Sequence, residues 1–497
     1  MSLVAPIVGH VGASATPADR SAEQSSASES ALDWLGSELA DHGGSMPGFV
    51  PGSTDWGLTA DAILAMLLGG RGADPSVGLA LDLLGGEVDT YTTWAPSMPE
   101  VREAGPTAKA LLALLTAGRT GSVAGVDLEI ELRSLMATTG SSAGRFTDRT
   151  PDPSWDASNG FGQSLAVLAL SLTDDGVPTR AVEFLAAQQC PGGGFPLTYT
   201  PGGCTSDDSA DTDATAVTVQ ALLVVERTPQ VLGALERGVT WLEEKQGPTG
   251  AFGGTGPTAG PNSNSTGLIA QTLRGAGRTV AADRGASWII ATAQISAAMA
   301  AGTPASDEGG AIGYNAAAVE AALGGGITEQ VGDQWRRSTT QAVLALGLPT
   351  YGGPTKGPLP PSSPPSTSTS TSTPSAPTTS TPPTPTLPTT SVPATAPPTT
   401  SASSGHGSSP RGSIPNIDSS GRFEVLGSQS SSGADLKEGN RRVSRAEPSK
   451  AELNADRGGS NLPRTGGDAG RWLEVGVLLL VLGGAVLYAR PKDQVHS

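Results

Sequence analysis

Four aspartates crowd one short stretch of the chain, SDDSADTDATAVTVQAL, where Asp207, Asp208, Asp211 and Asp213 stand just before or at the start of an Ala-rich apolar run. Carboxyls in that arrangement can do three things. One, made to hold its proton by a neighbouring carboxylate, can serve as a general acid. All four can offer oxygens to calcium, a hard cation that prefers oxygen ligands. Or they can accept hydrogen bonds from the free N–H groups of a helix N-terminus and favour its dipole, worth about 0.5 to 2 kcal/mol for a cap. The helix-cap reading is the expectation here. Asp213 and Asp211 stand as candidate acids, and the four together as a candidate calcium site.

Other chemistry finds less support. The only cysteines, Cys190 and Cys204, lie in the loop-like segment CPGGGFPLTYTPGGC, and only His10 and His42 of the four histidines precede residue 350. A zinc site needs three or four N, S or O ligands, so none is expected, and no other cofactor is called for. No GxSxG elbow, cysteine–histidine couple or phosphate loop occurs. In an exported protein Cys190 and Cys204 are expected to form a disulfide. Closing a loop of about 15 residues is worth about 3 kcal/mol in the chain-entropy model.

Charge divides the chain. Residues 1–350 carry 17 Lys and Arg against 37 Asp and Glu, a net charge of −20, while the remainder carries 13 against 10. The acidic part, with only Lys109 and Lys245 as lysines, cannot displace counterions from a phosphate backbone, which excludes nucleic acid as a partner.

The end of the chain reads Leu462-Pro463-Arg464-Thr465-Gly466, then a hydrophobic run from Val475 to Ala489, then Arg490 and Lys492. This order resembles the LPxTG sorting signal of Gram-positive surface proteins. The resemblance implies that a sortase cuts between Thr465 and Gly466 and joins the Thr465 carboxyl to peptidoglycan. Trp472 and Tyr488 flank the run as interfacial residues do, so residues 472–489 are expected to hold the precursor in the membrane. Export is also implied. Ala13-Ser14-Ala15 has the small-x-small form of a signal-peptidase site, and residues 1–30 are expected to be the remnant of a signal peptide and a leader. Residues 353–461, rich in Pro, Ser and Thr and then polar, cannot bury a core and form an expected wall-spanning linker of extended chain.

The acidic part contains a repeat. TADAILAML at Thr59, TAKALLALL at Thr107, QSLAVLALS at Gln163, TAVTVQALL at Thr215, TGLIAQTLR at Thr266 and TTQAVLALG at Thr339 fit one template, at spacings of 48, 56, 52, 51 and 73 residues. Apolar residues at three- and four-residue steps, with Ala and Gly between, suit helices buried on more than one side. Upstream segments supply a second helix per unit. RAVEFLAAQQCPGGGF from Arg180 and RGVTWLEEKQGPTGAF from Arg237 share one pattern; weaker copies begin at Ala31 and Arg284, where Gln294 comes one place late. Trp241 and Leu242 are expected on the inner helix face. Gln246 should bond backbone groups at the helix end, and the glycines should turn Phe252 back.

These paired segments resemble the QW repeat of squalene cyclases and related prenyltransferase-type α/α toroids. The resemblance implies an all-α fold: a single toroid of about six helical hairpins over residues 31–352, with concentric inner and outer helices around a central cavity. The aspartate segment also resembles the DxDDTA motif of class II terpene cyclases, in which the middle Asp protonates an alkene or epoxide. Asp211, Asp213, Thr215 and Ala216 match, but Ala214 replaces the third Asp. Aromatic residues, which steady carbocations, number only 16 before residue 351. The expected function is therefore a wall-displayed, non-catalytic toroid that binds a small ligand or surface partner. A cyclase-like enzyme using Asp213 is the alternative.

The tail sets a first prediction. Thr465→Ala removes the residue expected to become linked to the wall, so the protein should shift from the muramidase-released wall fraction to membrane or medium. Unchanged recovery from the wall would contradict the assignment.

Overall fold

In the computed structural model, which describes residues 22–48, 52–200, 202–357 and 359, the six template segments all lie on helices. Their Ala and Leu residues are strong helix formers. In four of them the residue four places before the template supplies a side-chain cap: Asp55, Asn159, Asp211 and Asn262 each accept from a backbone N–H in the first turn.

The inner helices are α2 (Trp56–Leu68), α5 (Ala104–Thr116), α7 (Gly160–Leu170), α9 (Thr212–Val224), α11 (Ser263–Gly275) and α15 (Glu329–Ala342). Each packs on the next, and α15 returns to α2, so the ring closes. Around it stand α1 (Ala22–Asp41), α3 (Pro75–Gly86), α6 (Leu128–Ser134), α8 (Thr179–Ala187), α10 (Pro229–Glu244) and α12 (Thr279–Trp288). Helix α3, for example, sits against both α2 and α5, and α10 against both α9 and α11. The fold is thus an all-α toroid of six hairpins. Every residue of α9 is buried, as the Ala-rich template requires of a helix packed on several sides. Short helices α4 (Val88–Thr92), α13 (Ala297–Ala300) and α14 (Ala316–Gly325) fill the connections; the last two account for the 73-residue spacing.

One device joins neighbouring hairpins. Nε2 of Gln246 donates to the carbonyl of Gly250 in its own turn and to that of Ala281 in α12, both at 2.8 Å. Gln189 does the same one unit earlier, bonding Gly193 at 2.7 Å and Ala234 of α10 at 2.8 Å. Gln294 bonds Gly310 at 3.3 Å and Ala27 of α1 at 2.8 Å, so the last outer helix is clipped to the first. Its late place in sequence is absorbed by a π-helical turn at Ile289–Ala293, which takes up one extra residue. The turn glycine is sterically demanded. Gly250 has φ +97°, and a Cβ there would lie 2.5 Å from the Arg284 carbonyl oxygen.

In five of the six units the first template position ties a turn to its inner helix; the Thr107 hydroxyl bonds only the Glu103 carbonyl at the start of α5. Hydroxyls of Thr59, Thr215, Thr266 and Thr339 accept from the N–H groups of Met46, Phe195, Phe252 and Ile312 at 2.7–2.9 Å. In the third unit, Gln163 replaces threonine and accepts from Phe146 at 2.8 Å. Trp241, Leu242 and Phe252 are buried beside these bonds.

Both expected toroid boundaries shift. Helix α1 begins at Ala22, not residue 31, because Gln24, Ala27 and Ser28 are buried and Ala27 receives the closing bond. Beyond residue 352 the chain still makes contacts: the Lys356 N–H bonds the Leu223 carbonyl at 3.0 Å, and Leu359 is buried. The sorting motif, the segment 472–489 and most of the linker lie outside the described residues. Among the described residues, no helix is long and apolar enough to cross a membrane.

Two glycine replacements test the clip. Gly250→Ala should cost more than about 3 kcal/mol, since it adds a backbone clash to left-handed strain. Gly256→Ala has open space around its Cβ position and a similar backbone sign, and should cost only about 1 kcal/mol. Urea unfolding of both variants measures the difference; equal losses would mean that the close approach at Gly250 is unimportant.

Candidate functional site

A helix repeats its facing every three to four residues, so one template position can point at the ring axis in every unit. The third does. Asp61, Lys109, Leu165, Val217, Leu268 and Gln341 all line a central cavity of about 560 Å³. One turn nearer the helix N-termini, Gly57, Gly105 and Phe161 also line it. Asp213, Asn264 and Arg337 occupy the same register on α9, α11 and α15 but are not among the lining residues.

The cavity is polarised. On the α2–α5 side, the Lys109 ammonium meets the Asp61 carboxylate at 2.8 and 2.9 Å. Burial raises the Asp61 pKa, and the lysine only partly opposes that. Asp55 caps α2 by accepting from Leu58 N–H at 2.8 Å, and also receives the Arg337 guanidinium. Arg337 further bonds Asp333 at 2.9 Å. Burial alone would lower the arginine pKa, but Asp55 and Asp333 outweigh it and raise it. Leu165, Val217 and Leu268 make the opposite wall apolar.

Aromatic residues gather here too. Trp56, Tyr91, Trp94, Trp155, Phe161 and Tyr351 reach the cavity, the Trp94 and Trp155 rings lying 5.9 Å apart. The low overall aromatic count therefore gives a misleading picture of the cavity wall. Tyr351 comes from a segment tied across the C-terminal ends of the inner helices. Its N–H bonds Gln220 at 3.1 Å, the Pro349 carbonyl accepts from Gln271 at 2.6 Å, and the Gly352 carbonyl accepts from Ser171 at 2.9 Å. Asp148, held by the N–H groups of Ala104 and Ala157 at 2.8 and 3.0 Å, is pushed by burial to a pKa of about 6 despite those bonds.

The aspartate cluster is dispersed by the fold. Asp207 accepts from Gly192 N–H at 2.6 Å, and Asp208 from the Ser206 hydroxyl at 3.2 Å. Asp211 pairs with Phe195 across the short strands β3 (Phe195–Pro196) and β4 (Ala210–Asp211), which follow β1 (Ser122–Val123) and β2 (Val126–Asp127) in the chain, and caps α9 through Ala214 N–H at 2.7 Å. Asp213 is buried, with one oxygen accepting from Ser265 at 3.1 Å and the other without a hydrogen-bond partner. The calcium arrangement is thus not formed: each carboxyl is committed to a different local partner, and among the described residues no group of His, Cys, Asp or Glu is placed to hold a metal. Cys190 and Cys204 are joined as a disulfide, with Cα atoms 4.7 Å apart, and His42, in the turn after α1, bonds the Glu38 carbonyl.

Burial, and then the neighbouring Asp211, push the Asp213 pKa well above the usual carboxylate range; burial also raises Asp211. Asp213 is thus a carboxyl that its surroundings dispose to hold its proton, but it has no place on the cavity wall.

The sequence matches no protein-family model, and no curated protein is significantly similar to it. Among solved structures, the type II terpene cyclase MstE from Scytonema is 14% identical, with 65% of this chain and 97% of that chain covered and a TM-score of 0.43. An α-1,6-mannanase variant of Salegentibacter sp. is 12% identical, with 65% and 99% covered and a TM-score of 0.46. Candida albicans protein geranylgeranyltransferase-I is 10% identical, with 64% and 90% covered and a TM-score of 0.43.

Asp213 generates a pH prediction. A carboxyl with a folded-state pKa above its unfolded value stabilises the fold fully below the unfolded value, and that contribution is lost as pH rises through the folded value. The melting temperature should therefore fall as pH rises above the ordinary carboxylate range, and Asp213→Asn, which cannot ionise, should flatten the slope. At acid pH, where the carboxyl holds its proton, the variant should lie within about 1 kcal/mol of the parent. Melting curves from acid pH upward would refute the assignment if the parent and variant slopes were parallel.

Proposed function

We propose that this chain is a binding module displayed on the wall of a Gram-positive cell, and that its toroid takes up a small ligand with a large apolar surface in the central cavity. One observation carries the binding reading: the chemistry-bearing groups of the cavity are already engaged with one another or with the backbone. Asp61 is held by Lys109, Asp55 by Arg337 and the start of α2, and Asp148 by two N–H groups. Preformed pairs of this kind orient a ligand and shape a cavity, whereas proton transfer needs a group within reach of the reacting atom. The apolar wall and the aromatic rings supply the burial that favours binding.

Wall display is supported by the order of LPRTG, hydrophobic run and basic residues, and by the Pro/Ser/Thr-rich stretch before them. In this reading sortase links Thr465 to peptidoglycan and the linker carries the toroid outward.

The cyclase-like alternative keeps one favourable observation, the buried Asp213, whose pKa is raised by burial and by Asp211. Two others weigh against it. Asp213 is not among the lining residues, and the adjoining carboxylate of the resembling motif is Ala214 here. Incubation with linear isoprenoids should yield no cyclised product from the parent or from Asp213→Asn. A product lost in that variant would favour the enzyme.

The binding reading predicts that neutral Nile red enters the cavity and brightens with a saturable one-to-one signal. Leu268→Trp should fill the space and abolish the signal while the protein stays folded. Signal retained in that variant would place the probe elsewhere.

A further inference from the structure

The polar wall has one sign in excess. Four carboxylates, Asp55, Asp61, Glu103 and Asp148, line the cavity, against Lys109, which is locked onto Asp61, and Arg337, which lies behind the wall and holds Asp55. Two of these carboxylates share their wall with the aromatic rings. The Glu103 N–H donates to the Thr92 carbonyl at 2.9 Å, which sets Glu103 beside the Tyr91–Trp94 segment. Asp148 accepts from Ala104, next to Glu103, and from Ala157, two residues after Trp155. These bonds draw two acids and the tilted Trp94–Trp155 pair onto one side of the cavity. Leu165, Val217 and Leu268 face them as an apolar wall.

Resting on the binding reading above, we infer that the ligand is an organic cation with an apolar body, such as a substituted ammonium. Indole and phenol faces attract a weakly hydrated cation through the negative face of the ring, and nearby carboxylates add to that attraction in a partly dry site. The apolar wall takes the rest of the ligand. The net charge of −20 over residues 1–350 favours approach of the same sign of ligand. An anion would face this acidic wall with the nearby cations, Lys109 and Arg337, already held by Asp61 and Asp55. A neutral ligand would gain from the rings and the apolar wall but not from the acids.

The test is titration calorimetry of the full chain with three probes that share one ring: benzyltrimethylammonium, benzyl alcohol and benzylphosphonate. The ammonium should bind about tenfold or more tightly than the alcohol, and the phosphonate should give no binding. Glu103→Gln and Asp148→Asn should each weaken the ammonium by about fivefold while leaving the alcohol unchanged. Trp94→Leu, in the tryptophan pair, should weaken both. Nile red uptake and a melting curve on each variant confirm that the cavity persists. Equal binding of ammonium and alcohol, or preference for the phosphonate, with Nile red still entering, would overturn the cation assignment and leave the binding module intact. Failure of Nile red and all three probes to bind would overturn both.

Discussion

The glutamine clip between outer helices is the constraint on which the rest depends. A single helical hairpin exposes most of its apolar surface, and repeat folds gain stability only when neighbours cover one another. A buried amide that must satisfy two carbonyls, one in its own turn and one in the next hairpin, fixes how the units are laid side by side. Gln189 and Gln246 set that step, and Gln294 applies it between the last unit and Ala27 of the first. Closure follows because the last hairpin has a partner waiting at the start of the chain. Threonine or glutamine at the first template position then holds the turn on its inner helix in five of the six units.

Closure also creates the site. Six helices with the same register place one position of every unit on the axis, so the chemistry of the cavity is written at 48- to 73-residue intervals. Each unit contributes one side chain to that layer. Two neighbouring units put an acid and an ammonium there, three put aliphatic groups and one an amide, which gives a cavity with a charged side and an oily side. A buried ion pair is costly to desolvate, and removing one partner would leave the other uncompensated. Asp61 and Lys109 therefore constrain each other as much as they offer themselves to a ligand.

The fold was largely legible in the sequence, because the Ala-rich template and the two full copies of the clip segment announce six hairpins. The site was not. Attention falls on Asp207, Asp208, Asp211 and Asp213 because they are dense, yet the fold gives them four separate partners, one of them, Ser265, on a different inner helix. Asp61 and Lys109 are inconspicuous, isolated in separate repeats, and become a pair only when α2 lies against α5. The readable signal was the third template position, where charged residues interrupt an otherwise apolar column. Tyr91, Trp94 and Trp155 sit in the segments that depart from the repeat, and those departures bring the rings to the cavity. The start of α1 was missed for a related reason: its Ser-rich first turns look like leader, and only ring closure buries them.

The central claim is that the third template position faces an accessible cavity while its neighbours face packed helix interfaces. Single cysteines at Leu165, Val217 and Leu268, compared with cysteines at the adjacent buried positions Ala166, Thr218 and Ile269, test it directly, since the native Cys190 and Cys204 are paired. The measurement is the rate of modification by a small uncharged thiol reagent, with and without an apolar probe in the cavity. The account predicts fast modification at the three third-position sites, slowed by the probe, and protection at their neighbours. Equal rates within each adjacent pair, unaffected by the probe, would contradict it.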